Sequence, residues 1–207
     1  AKPGTYDCGM LKVRVLDRVL PPAKDWKYYL DLWQHPWAVA RIAGVKPFSG
    51  EHYAAMRPVY ELLATAGQKT ITVSILDQPW DHQCYDAYRS MIRRVKHADG
   101  SWTFDYSLFD EYVAFGKRCG IGPYVSCYSM CPWNNVAYYE DDKGNPHASG
   151  TARPGTPFFD QQSLGTSSTA SHFAVGGAFR FFSSSFVHGD FTRAELTPDG
   201  LKTSATR

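Results

Sequence analysis

The chain has 207 residues, 43% of them apolar, enough to bury a core of domain size. Its 22 Lys and Arg against 20 Asp and Glu leave a formal charge of +2, and no block of five like charges occurs, so there is no electrostatic case for nucleic acid or an anionic membrane. No run approaches the roughly 18 apolar residues that a membrane-spanning helix needs.

Ala1-Lys2-Pro3-Gly4 is neither a signal peptide nor an initiator methionine, so the chain is expected to begin inside something longer, or after processing. Leu11 to Leu16 alternates Leu11, Val13 and Val15 against Lys12 and Arg14, the pattern of a half-buried strand at the end of a β domain spanning 1–20. Leu20-Pro21-Pro22 starts a stiff linker over 21–27, because paired prolines hold the chain extended and outside a ladder. Tyr28 to His35 then reads as the first strand of a parallel α/β unit. Leu30 and Leu32 take one face, Asp31, Trp33 and His35 take the other, and Pro36 ends the ladder for want of an N–H.

Residues 36–50 are expected to be a long connection broken by Gly44 and Pro47. A helix follows, capped by Ser49, with Met56, Val59, Tyr60, Leu62 and Leu63 as its core stripe and Gly67 as its stop; Pro58 inside it predicts a kink or a later start. Thr70 to Leu76 is the second strand. Met91 to Lys96 and Trp102 to Tyr106 flank Asp99-Gly100 as a hairpin, and Ser107 with Asp110 resembles a capping box opening a helix from Leu108 to Cys119. Tyr124 to Tyr128 is the third strand, and Tyr138 to Asn145 suggests another turn. Three strands alternating with helices predict a parallel sheet, and their polar inner faces favour a barrel over an open sheet. The expected fold is therefore α/β, a partial (β/α)8 TIM-type barrel of about three βα units over 28–147. From Ala148 the chain holds 17 Ser or Thr and no sustained period, so 148–207 is expected to be an irregular tail, disordered or out of frame.

In such folds the loops after the strands carry the site. Trp33 and His35 stand at the end of the first strand, where they are either a sugar platform with a hydrogen-bonding partner or two satisfied interior residues. Asp77, Trp80, Asp81 and His82 follow the second strand, as ligand groups or as turn chemistry around Pro79. Tyr128, Met130 and Trp133 follow the third, as rim or as loop packing. Two aspartates and one histidine define no metal cage, and the five cysteines (Cys8, Cys84, Cys119, Cys127, Cys131) match no zinc spacing and are expected to be free. The sole Asp-Glu dipeptide, Asp110-Glu111, sits near the start of a predicted helix, where solvated capping residues belong.

Leu30-Asp31-Leu32-Trp33-Gln34-His35-Pro36, Leu62-Leu63-Ala64-Thr65-Ala66-Gly67-Gln68-Lys69, Asp77-Gln78-Pro79-Trp80 and Cys127-Tyr128-Ser129-Met130-Cys131-Pro132-Trp133 together resemble glycoside hydrolase family 123, the β-N-acetylgalactosaminidases, over about residues 10–147. The resemblance implies a β-sandwich followed by a (β/α)8 barrel, a glycan or amino-sugar substrate, no cofactor and no metal, and a periplasmic or extracellular setting. It also implies a retaining, substrate-assisted reaction. The sugar's 2-acetamido oxygen attacks the anomeric carbon, a glutamic acid protonates the leaving oxygen, and an adjacent aspartate orients the acetamide. That Asp-Glu pair has no counterpart in this chain. By motif position Trp33, His35, Trp80, Asp81, Tyr128 and Trp133 are the candidate substrate-binding residues. The expectation is a glycosidase fragment inactive by itself. Its rivals are a non-catalytic carbohydrate-binding fragment and a truncated product without function; no feature of the residues decides an oligomeric state.

Overall fold

The computed structural model describes residue 10, residues 13–128 and 132–150, and the backbone of 179–184, 191–197 and 200–206. Val13 to Leu16 forms no strand, and Val13, Val15 and Leu16 are exposed; Leu11 and Lys12 lie outside the described residues. Alternation makes a strand only where a partner edge is present to accept it. The 21–27 stretch is pinned rather than free. A 3-10 turn at Ala23–Asp25 receives Lys69 Nζ on its Ala23 carbonyl at 3.1 Å and its Lys24 carbonyl at 2.9 Å, and the Trp26 indole donates to Pro21 O at 2.7 Å.

The segment from Tyr28 to His35 lies beside strand β1 (Thr70–Ser74), yet it is not a strand: a single parallel bridge, Leu30 to Gln68, is its backbone pairing. Two glutamine side chains replace the rest of the ladder. Gln68 Oε1 accepts from Leu32 N at 2.9 Å while its Nε2 donates to Thr70 O at 2.7 Å, and Gln34 Oε1 accepts from Thr72 N at 2.7 Å. Each amide presents a donor and an acceptor, so it can stand in for a peptide unit.

The expected connection after Pro36 is instead helix α1 (Pro36–Ala43). Pro36 occupies the first helical position, where a missing N–H costs nothing, and Gly44 at φ 65° closes the helix, with Val45 N donating to Ala40 O at 3.0 Å. Helix α2 (Gly50–Thr65) starts as expected. Ser49 Oγ accepts from His52 N at 3.2 Å, and the helix runs on through Pro58. His52, Met56 and Tyr60 form its buried stripe, four residues apart. His52 also ties the two helices together, accepting from Phe48 N at 2.7 Å and donating to Pro36 O at 2.9 Å.

After β1 the chain makes an excursion through β2 (Arg93–Lys96) and β3 (Trp102–Asp105), the expected hairpin, before α3 (Ser107–Arg118) returns it to β4 (Tyr124–Tyr128). The cap of α3 differs from the expected capping box: Asp105 accepts from Ser107 N at 2.9 Å and Ser107 Oγ at 2.6 Å, so the carboxylate lies two residues before the serine. Asp110-Glu111 falls in the first turns of α3, as expected. Strand β4 pairs parallel with β1 from Thr70–Tyr124 to Ser74–Tyr128. β5 (Tyr138–Glu140) and β6 (Pro146–Ala148) then form a hairpin that joins the excursion in a four-stranded sheet, ordered β3-β2-β5-β6.

The tail is not irregular throughout. Strands β7 (Phe179–Ser184), β8 (Phe191–Thr197) and β9 (Gly200–Thr206) extend the main sheet to the order β1-β4-β7-β8-β9, with β7 parallel to β4 and the last two antiparallel. Runs of Ser and Phe with no consistent face mask their period in the sequence. The architecture is thus mixed α/β, with a parallel β1-α3-β4 unit at its centre. The core lies between β1, β4 and the two long helices, with Met56, Tyr60, Ile71, Val73, Phe109, Tyr112 and Phe115 all buried. Gly116 lets α3 approach β1 closely, since a Cβ there would lie 2.8 Å from Ile71 Cδ1.

Candidate functional site

The C-terminal ends of β1, β4 and the extended segment beside them converge on an aromatic cluster. Trp33 stacks on Trp80 with centroids 4.9 Å apart and planes 25° apart, and Tyr128 stands 4.9 Å from each ring. Trp80 and Tyr128 are each 7% exposed, while Trp33 is 53% exposed. Two rings are therefore the foundation, and the third offers a face to solvent. Burial, with Asp31 nearby, holds the Tyr128 hydroxyl well above the usual phenol range, so it stays a neutral donor and acceptor.

Trp133 packs against this cluster from the loop after β4, its backbone N donating to Pro79 O at 3.2 Å. Ser129, Met130 and Cys131 lie outside the described residues. His35 stands one layer further back. Its ring stacks on Tyr88 at 3.7 Å, and Nε2 is 3.0 Å from Asp86 O; a carbonyl only accepts, so Nε2 carries the proton. Burial lowers its pKa, which keeps the ring neutral. Tyr88 is not among the sequence candidates, although it braces both halves of the site. It meets Trp80 edge-on at 4.7 Å and donates to Gln34 O at 3.2 Å. Its place in a loop without periodic pattern gives no sequence signal.

Asp81 differs from the others. It is exposed, at φ 48° in a turn where its N–H donates to Gln78 O at 3.0 Å. The loop holding it is strained: Gln78, Asp81 and His82 all have positive φ (48°, 48° and 60°), a conformation that costs each of them on the order of 1 kcal/mol. Such strain persists where surrounding contacts fix the loop, and here Gln78 N donates to Tyr88 O at 2.8 Å.

Beside the cluster, where β1 ends, a cavity of about 550 Å³ is lined by Asp77, Arg89, Arg93, Asp105, Tyr138 and Glu140. Burial raises the pKa of Asp77, against a hydrogen bond from Ser90 N–H and the charges of Arg89 and Arg94. Arg94 is buried and fully engaged, donating to Ser90 Oγ at 2.8 Å, to Ile92 O at 3.1 Å and to Ile75 O, and its burial pushes it down to about 10. It braces the excursion against β1. No group of three or more metal-ligating side chains occurs among the described residues, and Cys84, Cys119 and Cys127 are free thiols; Cys8 and Cys131 lie outside them. No helix among the described residues is long and apolar enough to cross a membrane.

No match was found among the curated proteins. Among solved structures, the chain is similar to one described as "The details of glycolipid glycan hydrolysis by the structural analysis of a family 123 glycoside hydrolase from Clostridium perfringens", with a TM-score of 0.71 and 28% identity over 76% of this chain. The match spans 29% of that protein's length. The family described as "Glycoside hydrolase 123, catalytic domain" matches residues 33–163. It starts at Trp33, later than residue 10, and continues past the expected limit at 147 into the first part of the tail. With more than half its length matched, the chain belongs to glycoside hydrolase family 123 and carries part of its catalytic domain.

Proposed function

We propose that this chain is the first part of a (β/α)8 catalytic barrel, and that it builds one wall of a pocket for β-linked N-acetylgalactosamine at the end of a glycan. The observation that carries this reading is the Trp33 ring, half-exposed and stacked on Trp80 and Tyr128 at the C-terminal end of the parallel strands. A flat, rigidly backed aromatic face suits the C–H-rich face of a pyranose, and the hydroxyl of Tyr128 and the ring of His35 supply polar contacts. Trp133 and Asp81 would close the rim from the two loops.

In a retaining, substrate-assisted reaction the acetamido oxygen bonds to the anomeric carbon as the glycosidic bond breaks. A glutamic acid gives its proton to the leaving oxygen, and water later opens the intermediate. Holding the sugar ring on Trp33 is what this chain contributes. The acid and the acetamide-orienting aspartate have no place in it, since Asp110-Glu111 is spent on the first turns of α3. The purified chain is therefore expected to bind N-acetylgalactosamine, to lose that binding on Trp33→Ala, and to leave a chromogenic β-N-acetylgalactosaminide intact. Turnover by the 207 residues would overturn the assignment of the acid to a segment outside them. Absence of sugar binding would overturn the pocket.

A further inference from the structure

Trp80 is part of the floor under the exposed Trp33 ring, yet no strand or helix carries it. Between β1 and β2 the chain crosses residues 75–92 without regular structure. The positive φ of Gln78, Asp81 and His82 means that contacts outside the loop impose its path. Its two ends are tied to β1 and to the loop after β4. Trp133 N donates to Pro79 O at 3.2 Å, Ser74 Oγ donates to Arg89 O at 2.5 Å, and Met91 N donates to Ser74 O at 2.9 Å. Its middle is tied to α1 and to the residue before it.

Asp86 makes that tie twice. Its carbonyl accepts from His35 Nε2 at 3.0 Å, and its carboxylate accepts from Arg41 Nε, in the last turn of α1, at 2.7 Å. The Asp86 side chain is 13% exposed, and the half-exposed Arg41 guanidinium lies 4.9 Å over the Tyr85 ring. Two residues on, Tyr88 stands between α1 and Trp80. Its ring stacks on His35 at 3.7 Å and meets Trp37 at 5.6 Å and Trp80 at 4.7 Å, both edge-on. A shift of Asp86 away from Arg41 therefore reaches Trp80 through one ring. The Arg57–Glu61 pair joins residues four apart on one helix, whereas Arg41 and Asp86 are 45 residues apart and join two elements. Neither belongs to the hydrophobic core, so their loss acts on the loop and not on the fold as a whole.

We infer that Arg41 and Asp86 are positioning residues: their ion pair locks the Tyr85–Tyr88 turn onto α1, sets Tyr88 behind Trp80, and so fixes the stack on which Trp33 presents its face to a sugar. The consequence for sugar binding rests on the proposed pocket, while the placement of Trp80 does not. The pair acts through Tyr88 and His35, and the tie from the Asp86 carbonyl to His35 aligns the same turn from its other side. Its contact is a single hydrogen bond from Nε, so a lysine ammonium at position 41 can supply the charge and the donor that the carboxylate needs.

The test is two-dimensional NMR of the full 207-residue chain, following the indole N–H signals first without ligand and then on titration with N-acetylgalactosamine. Arg41→Ala and Asp86→Ala should each move the Trp80 signal of the free protein. That of Trp26, whose indole donates to Pro21 O beside Lys69 at the other end of β1, should stay in place. Each substitution should weaken sugar binding about fivefold, the upper range for one partly exposed ion pair, with the thermal midpoint within about 2 °C of the parent. Arg41→Lys should restore most of the affinity and the Trp80 position, and Arg41→Gln neither. An unmoved Trp80 signal in both alanine variants, a moved signal with unchanged affinity, or equal behaviour of Arg41→Lys and Arg41→Gln would each overturn the inference. If the unsubstituted chain binds no N-acetylgalactosamine, the pocket falls and the Trp80 signal alone decides the role of the pair.

Discussion

The two faces of β1 and β4 are buried to the same extent and are held by opposite means. On the helix side Ile71, Val73, Ile75, Val125 and Cys127 are at most 3% exposed and pack on α2 and α3 without a polar contact being needed. On the other side Thr70, Thr72, Ser74 and Ser126 are at most 1% exposed; the Thr70 and Ser74 hydroxyls are hydrogen-bonded, while among the described residues those of Thr72 and Ser126 are buried without a partner. Thr70 Oγ1 donates to Tyr29 at 2.6 Å, and Gln34 and Gln68 stitch the neighbouring segment to the strand. Alternation in a strand is usually taken as one dry face and one wet face. Here it separates a dry apolar face from a dry polar face whose β1 edge is held by side-chain to backbone pairing, and that polar face leads to the aromatic site.

The largest expected effect tests the dry face. Phe109 of α3 is fully buried in the core with Ile71 and Val73, so Phe109→Ala removes a ring and leaves a cavity, at a cost of about 3–5 kcal/mol. That is a large share of the roughly 5–15 kcal/mol of a typical domain. Urea unfolding of the two proteins measures it. A cost under about 1 kcal/mol would mean that the helix side is loosely packed, and the comparison between faces would lose its first half.

A smaller but more discriminating change acts on the paired face. Gln34→Leu keeps the volume and removes the acceptor of Thr72 N–H, leaving a buried donor without its bond, for which the expected cost is about 1–3 kcal/mol. Leu32→Ala, two residues away and half-exposed, should stay within about 0.5 kcal/mol. Equal effects at the two positions in urea unfolding would show that the glutamine ladder is decorative. Because Gln34 lies between Trp33 and His35, its loss should also weaken sugar binding at the proposed pocket.

How far the sequence discloses this arrangement depends on whether a residue acts through local pattern or through a partner far along the chain. β1, β4, the excursion hairpin and α2 announce themselves by period, cap and turn residues, and the structure has them within a residue or two of the expected bounds. The first segment does not, because its ladder is made of side-chain bonds that span 36 and 38 residues, and no local pattern reports that Gln34 and Gln68 act as peptide units. Pro36 has the sequence character of a strand end and is the start of α1; both roles suit its missing N–H, and the helical residues after it decide between them. Among the site candidates, Trp33, Trp80, Tyr128 and Trp133 are brought together, His35 joins them through Tyr88, and Asp81 stays apart at the surface. Tyr88 and Arg94 leave no local signal because their roles depend on where the excursion folds back, which composition does not carry.

The smallest effect concerns a polar pin set within the dry side. His52 is buried, and both its nitrogens are committed: Nδ1 accepts from Phe48 N and Nε2 donates to Pro36 O, a pattern that only the neutral ring can supply. Burial accordingly lowers its pKa below the ordinary 6.5. With the folded value depressed, the unfolded chain binds the proton more readily, so this contribution is complete above about pH 6.5 and is lost as the pH falls toward the folded value. His35, also depressed by burial, adds in the same direction. Thermal unfolding should therefore shift to lower temperature between about pH 7.5 and about pH 5.5. His52→Asn keeps an acceptor for Phe48 N but cannot titrate. It should be less stable than the parent at the higher pH and show a shallower decline, with His35 supplying what remains. Parallel declines in the two proteins would mean that His52 titrates alike folded and unfolded, and that the join between α1 and α2 does not require its neutral form.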